Sequence, residues 1–149
     1  MRRHVLAQRH DLDDLVGGGP SGGDLHRAGD AQRLVRTLCP HCKQSGEPPD
    51  DETWRAITSP WRADKPAQVM APVGCVECRM TGYRGRIGLY EVMLMTPAIR
   101  KLVTAEADDS AIREQAYKDG MKPLRVSGAM KVAAGWTTAD EVVKVVPLG

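Results

Sequence analysis

Apolar residues recur along this chain at several spacings, and each spacing predicts an element. Leu34, Val35 and Leu38 fall at i, i+1 and i+4, with Arg33 and Arg36 outside them. This predicts a helix over 31–38 that delivers Cys39 directly. Pro40 then blocks continuation and sets up a turn. Trp54, Ile57 and Trp61 lie at i, i+3 and i+7. They predict a short helix capped by Asp50 or Asp51, with the three side chains packed over the neighbouring cysteine-bearing stretch. Val69 to Val73 reads as a short extended segment, and Ile87 to Met95, β-prone and mostly apolar, as a buried strand.

The remainder reads as helical. Thr96-Pro97 is an N-cap followed by Pro at N1, with Ile99, Leu102 and Val103 on the inner face. Asp109 or Ser110 caps the next helix, which turns Ile112, Ala116 and Tyr117 inward and ends at Asp119-Gly120. Pro123 starts a third helix with Leu124, Ala129, Val132 and Ala133, and Gly135 stops it. Thr138-Ala139-Asp140-Glu141 fits a capping box and opens a last helix through Val142, Val143, Val145 and Val146. Met93, Met95, Met121 and Met130 read as core filler. The predicted fold class is α+β and mostly helical: a tetracysteine lobe, a short strand, then a helical bundle.

Composition changes this picture in two ways. Among 149 residues there is no Phe, and aromatics make up 4%, so the core is aliphatic and thin for its length. A metal cross-link would offset part of that deficit. The formal net charge of +2 is too near neutral to argue for nucleic acid, and no basic stripe with aromatics appears. No apolar run approaches the roughly 20 residues of a membrane span. Arg2 and Arg3 are not followed by an apolar segment, so the amino terminus does not read as a secretory signal. Residues 1–30 read as a solvated tail, with His4, His10 and His26 scattered and a Gly-rich run over 17–23.

The strongest chemical signal is Cys39-Pro40-His41-Cys42 and Cys75-Val76-Glu77-Cys78. Each Cys-x-x-Cys turn presents two thiols to one point, and two such turns supply four ligands with no cysteine left over. Cys39, Cys42, Cys75 and Cys78 are the candidate metal ligands. Four thiolates suit a closed, structural Zn2+ site, an iron–sulfur cluster also takes four, and free structural or redox cysteines are the remaining reading. Without an export signal, the cysteines read as a reduced, cytoplasmic metal site rather than as disulfides. A site filled by four thiolates has no open position, so the metal holds structure and does not catalyse. His41 reads as a loop histidine.

Catalytic patterns are missing. There is no Ser-His-Asp pattern and no G-x-x-x-x-G-K-[ST]. Arg84 and Arg86 stand in a Gly-rich string and could touch a phosphate, though pairing with a local carboxylate or a neighbouring subunit is the commoner role.

The ordered motifs resemble one family. Ala31-Gln32-Arg33-Leu34-Val35-Arg36, followed by Leu38-Cys39-Pro40-His41-Cys42-Lys43, looks like the end of the ATPase core of the type II secretion and type IV pilus assembly ATPases. Val73 to Cys78, running on through Thr81-Gly82-Tyr83-Arg84-Gly85-Arg86-Ile87-Gly88-Leu89-Tyr90-Glu91, resembles the family's second knuckle and the strand after it. Asp119 to Leu124 and Lys131 to Val142 resemble two later motifs. The tetracysteine insertion points to the secretion and pilus-extension members.

The resemblance implies a hexameric, RecA-like cytoplasmic motor at the inner membrane, working with secretion or pilus platform proteins. It binds ATP and Mg2+ through a Walker A loop, an acidic box, a Walker B strand and a histidine box, none of which stands in this sequence. The expectation is therefore a carboxy-terminal segment without ATPase activity alone. Its parts are 31–38 as the end of the ATPase core, 39–78 as the metal-binding lobe, 79–95 as a Gly/Arg turn and strand, and 96–149 as the bundle. Residues 1–30 do not match the family's aliphatic approach to Ala31, which raises the expectation of a frameshifted start. A free-standing zinc-ribbon adaptor for nucleic acid or protein is the alternative.

Overall fold

The computed structural model describes residues 28–103 and 108–147. The reading of residues 1–27 as a tail or frameshift product lies outside these. Residues 28–30, which the sequence reading places with that tail, open the first strand.

Two long strands form the backbone of the fold. β1 (Ala28–Leu38) runs antiparallel to β4 (Tyr83–Leu94), with Val35 opposite Ile87 and Leu34 opposite Gly88. Between them in sequence come β2 (Gln44–Gly46), α1 (Asp51–Thr58), β3 (Val69–Ala71) and a 3-10 turn (Val76–Cys78). β2 and β3 pair antiparallel as a separate small sheet. After β4 follow α2 (Pro97–Leu102), α3 (Asp109–Lys118), α4 (Leu124–Ala133) and α5 (Ala139–Val145). The protein is a mixed α/β fold, less helical than its sequence suggests.

The segment 31–38 is a strand and not a helix. The helical spacing was an accident of burial. Val35 and Leu38 are both buried, but residues three apart in a strand point to opposite faces. Val35 joins the main core, while Leu38 is buried outside that cluster, where its N–H donates to the Trp136 carbonyl. The ladder also shifts register here, since Arg36 faces Arg86 but Leu38 faces Tyr83. β4 thus carries one extra residue opposite Thr37, and Gly85 takes φ +83° within this bulge.

β4 is longer than the predicted strand and is buried on one face only. Leu89 is fully covered, whereas Tyr90, Val92 and Leu94 are exposed, with Leu34 on the same outer face. The covered face carries the main core of Val35, Leu89, Trp54, Ile57, Ala129, Val132 and Val142. Trp54 and Ile57 therefore belong to this core rather than to a cluster over the cysteines. Trp61 stands apart and meets Tyr117 edge-on at 5.4 Å. Ile99, Ala116 and Met121 form a second cluster, with Met93, Met95, Ile112 and Tyr117 against it.

Most of the cap signals hold. Asp50 accepts from the Thr53 N–H and Thr96 from the Ile99 N–H. The α3 cap is Asp108, one residue before the predicted position. On α2 only Ile99 is buried; Leu102 and Val103 face solvent, as does Ala133 on α4. The α5 capping box is half made. Thr138 accepts from the Glu141 N–H, but the Glu141 carboxylate turns to Arg36.

Candidate metal centre

The two cysteine turns sit at the mouth of the long hairpin. Cys39 follows β1, and Cys78 lies five residues before β4 begins. In the first turn the Cys39 carbonyl accepts from the N–H groups of Cys42 and Lys43. In the second, the Cys75 carbonyl accepts from Cys78 and Met80. The Cys39 N–H donates to the Gly82 carbonyl at 2.9 Å, and this bond ties the first turn to the strand that leaves the second. Lys43 Nζ donates to the Gly135 carbonyl at 2.8 Å and ties the site to the end of α4.

Those anchors bring together all four residues that the sequence singles out. Cys39 Sγ lies 3.9 Å from Cys75 Sγ, and Cys78 Sγ lies 3.8 Å from both Cys42 Sγ and Cys75 Sγ. All four sulfurs fall within 4.8 Å of one another. Four sulfurs about 2.3 Å from a tetrahedral centre stand about 3.8 Å apart. The donor set and its spacing fit a metal ion held by four thiolates. Among the described residues this is the one group of three or more Cys, His, Asp or Glu side chains arranged to hold an ion. The thiols are free, at separations that exclude S–S bonds.

Backbone N–H groups point at the sulfurs. Gly74 N–H donates to Cys42 Sγ at 3.3 Å; Cys75 and Gly82 N–H both donate to Cys78 Sγ at 3.2 Å. Desolvation pushes the Cys78 thiol up, but the bonds from Cys75 and Gly82, with the neighbouring thiols, outweigh it and bring the group down to about 6. Desolvation dominates at Cys42 and, with the thiols around it, pushes that group up to about 11. One thiolate is thus already favoured by the backbone before any ion enters.

Gly82 was not picked out as a site residue, yet its backbone makes the site. It sits at φ +77°, and a Cβ there would come within 2.5 Å of Pro72 Cβ. The available signal was its spacing, four residues after the last cysteine, where its N–H reaches back to the sulfur. Arg84 pairs with Glu77 at 3.1 Å, both exposed, which is a local ion pair and not a phosphate cradle. Arg86 is exposed on β4. His41 is exposed in the first turn.

Comparison with known proteins decides the relationship. The family model "Type II/IV secretion system protein" matches residues 30–144. The chain belongs to that family. It is 46% identical over 118 residues to the type IV pilus assembly ATPase TfpB of Acinetobacter baylyi, covering 79% of this chain and 20% of that protein. It is 42% identical over 115 residues to the type IV pilus assembly ATPase PilB of Pseudomonas aeruginosa, covering 77% and 20%. To the type II secretion system protein E of Aeromonas hydrophila it is 38% identical over 115 residues, covering 77% and 22%. The chain thus spans about a fifth of the length of these curated relatives. No described helix is long and apolar enough to cross a membrane.

Proposed function

We propose that this chain is the metal-bearing, subunit-contacting carboxy-terminal part of a pilus-assembly or secretion ATPase. Cys39, Cys42, Cys75 and Cys78 hold one structural Zn2+. The observation that carries this reading is the meeting of four sulfurs from two turns 36 residues apart, inside a chain of the secretion family. Zn2+ favours a closed tetrahedral thiolate shell, and a closed shell leaves no place for water or substrate. The ion's contribution is a cross-link. It fastens the 43–74 excursion, including α1 with its core residues Trp54 and Ile57, across the mouth of the β1–β4 hairpin.

On this reading 39–78 is a clip on a larger RecA-like motor, and 79–95 is where the chain returns to the motor's body. The 96–149 helices complete it. The whole motor assembles as a homohexamer on the cytoplasmic side of the inner membrane and uses ATP and Mg2+. The bidentate Arg36–Glu141 pair supports a continuous unit, since it locks the strand entering the clip to the last helix.

ATP hydrolysis is not assigned to this chain alone. Purified chain is expected to show no ATP turnover above that of a variant with all four cysteines replaced by Ser. Turnover clearly above that control, lost on adding excess non-hydrolysable nucleotide, would overturn the assignment.

A further inference from the structure

The geometry points to an oxidative modification site at the same four residues: a peroxide pairs the thiols across the two turns, Cys39 with Cys75 and Cys42 with Cys78. Three close sulfur contacts are present, Cys39–Cys75, Cys42–Cys78 and Cys75–Cys78, at 3.8–3.9 Å. Of these, the first two together use all four sulfurs. Choosing Cys75–Cys78 instead leaves Cys39 to pair with Cys42, whose sulfurs lie within 4.8 Å of each other but without so close a contact.

Cross-turn and within-turn pairs alike join a half-exposed cysteine to a buried one. Cys42 and Cys75 reach the surface, while Cys39 and Cys78 do not. Val76, between the cysteines of the second turn, is 88% exposed, so that edge of the site is open to a small oxidant. Peroxide reaches the half-exposed members first, and their buried partners resolve the product.

The chemistry balances with hydrogen peroxide as the oxidant. A thiolate attacks one peroxide oxygen, the O–O bond breaks, and a sulfenic acid and hydroxide result. The facing thiolate then attacks the sulfenic sulfur, forming the S–S bond and expelling a second hydroxide. Two peroxides convert four thiolates into two bridges. Any ion held by the thiolates is lost to solution.

The consequence is specific to the cross-turn pairing. Each bridge closes a loop of 36 residues, whereas a bridge within one turn closes only a three-residue step. Longer loops constrain the unfolded chain more. The oxidised chain therefore stays stitched at the hairpin mouth without metal, and its melting becomes insensitive to chelator.

The test is peroxide treatment of the full purified chain, with zinc content measured first, followed by non-reducing tryptic mapping. Cleavage after Arg36, Lys43, Arg62 and Arg79 separates peptide 37–43, with Cys39 and Cys42, from peptide 63–79, with Cys75 and Cys78. The expected product is these two peptides linked, with all four free thiols gone. Two unlinked peptides, each bridged internally, overturn the inference; so do thiols that persist in excess peroxide. The pair Cys42→Ser with Cys78→Ser leaves Cys39 and Cys75, which still bridge. The pair Cys42→Ser with Cys75→Ser leaves Cys39 and Cys78, which bridge several-fold more slowly; the reverse order overturns the pairing. Chain found without zinc that still bridges across the turns upholds this inference while removing the zinc reading.

Discussion

Arg36 grips Glu141 through two hydrogen bonds, Nε to Oε2 at 2.8 Å and Nη2 to Oε1 at 2.6 Å, across 105 residues of sequence. The carboxylate is buried, with a side chain 6% exposed, and Lys144 Nζ adds a third contact at 2.9 Å. The guanidinium lies 4.1 Å from the centre of the Tyr83 ring, and the Tyr83 hydroxyl meets Thr138 Oγ1 at 3.2 Å. One network thereby joins both long strands to the N-terminus of α5.

Breaking that grip should destabilise the whole unit. Arg36→Ala strands a buried carboxylate, and because Arg36 itself is 47% exposed the cost falls below that of a fully buried pair, at roughly 2 kcal/mol. Arg36→Lys keeps the charge but loses the two-pronged geometry and should recover only part of it. Urea unfolding of the three proteins checks the order.

The same pair sets an acid sensitivity. The hydrogen bond from Arg36, working against desolvation and helped by Lys144, holds the Glu141 carboxyl down at about 2 against an ordinary 4.5. Its folded-state value lies below its unfolded one, so the unfolded chain binds the extra proton in that window and stability rises with pH there. The contribution is fully present above about pH 4.5 and is lost as pH falls towards 2. Thermal melts between those limits should fall more steeply for the native chain than for Glu141→Gln.

The helix caps discriminate between the sequence reading and the observed fold. Asp108 Oδ1 accepts from the Ser110 N–H at 2.9 Å, which makes Asp108 the cap of α3. Asp108→Ala should lower the melting temperature while Asp109→Ala leaves it nearly unchanged. Thr96→Ala, which removes the cap of α2, should cost about 1 kcal/mol.

The two tryptophans of the 43–74 excursion should behave differently. Trp54 is 4% exposed, packs in the main core and donates from Nε1 to the Ala63 carbonyl at 3.0 Å. Trp54→Ala should cost about 3 kcal/mol or more, in the range of large-to-small core changes. Trp61 is half-buried and contributes one edge-on contact, worth about 1 kcal/mol. Equal losses in urea unfolding would contradict the assignment of Trp54 to the core.

The site was legible in the sequence because its signal is local. Two Cys-x-x-Cys turns announce themselves by spacing, and the fold had only to bring them together. The caps at Asp50, Thr96 and Thr138 were legible for the same reason, since each is written within four residues. Segment 31–38 was not. Its strand character depends on pairing with residues 45 or more positions away, and the burial of Val35 and Leu38 on opposite faces mimics a helical spacing. The Arg36–Glu141 grip was hidden for a related reason. Thr138 and Glu141 already satisfied a local capping pattern, and nothing local showed that the carboxylate would turn to a strand a hundred residues earlier.

The proposed site joins Cys39, Cys42, Cys75 and Cys78 around one structural zinc ion. Elemental analysis of purified chain tests it most directly. One zinc per chain is expected, and none in the variant with the four cysteines replaced by Ser. Metal-free native chain after expression in zinc-replete medium, or iron in place of zinc, would contradict it.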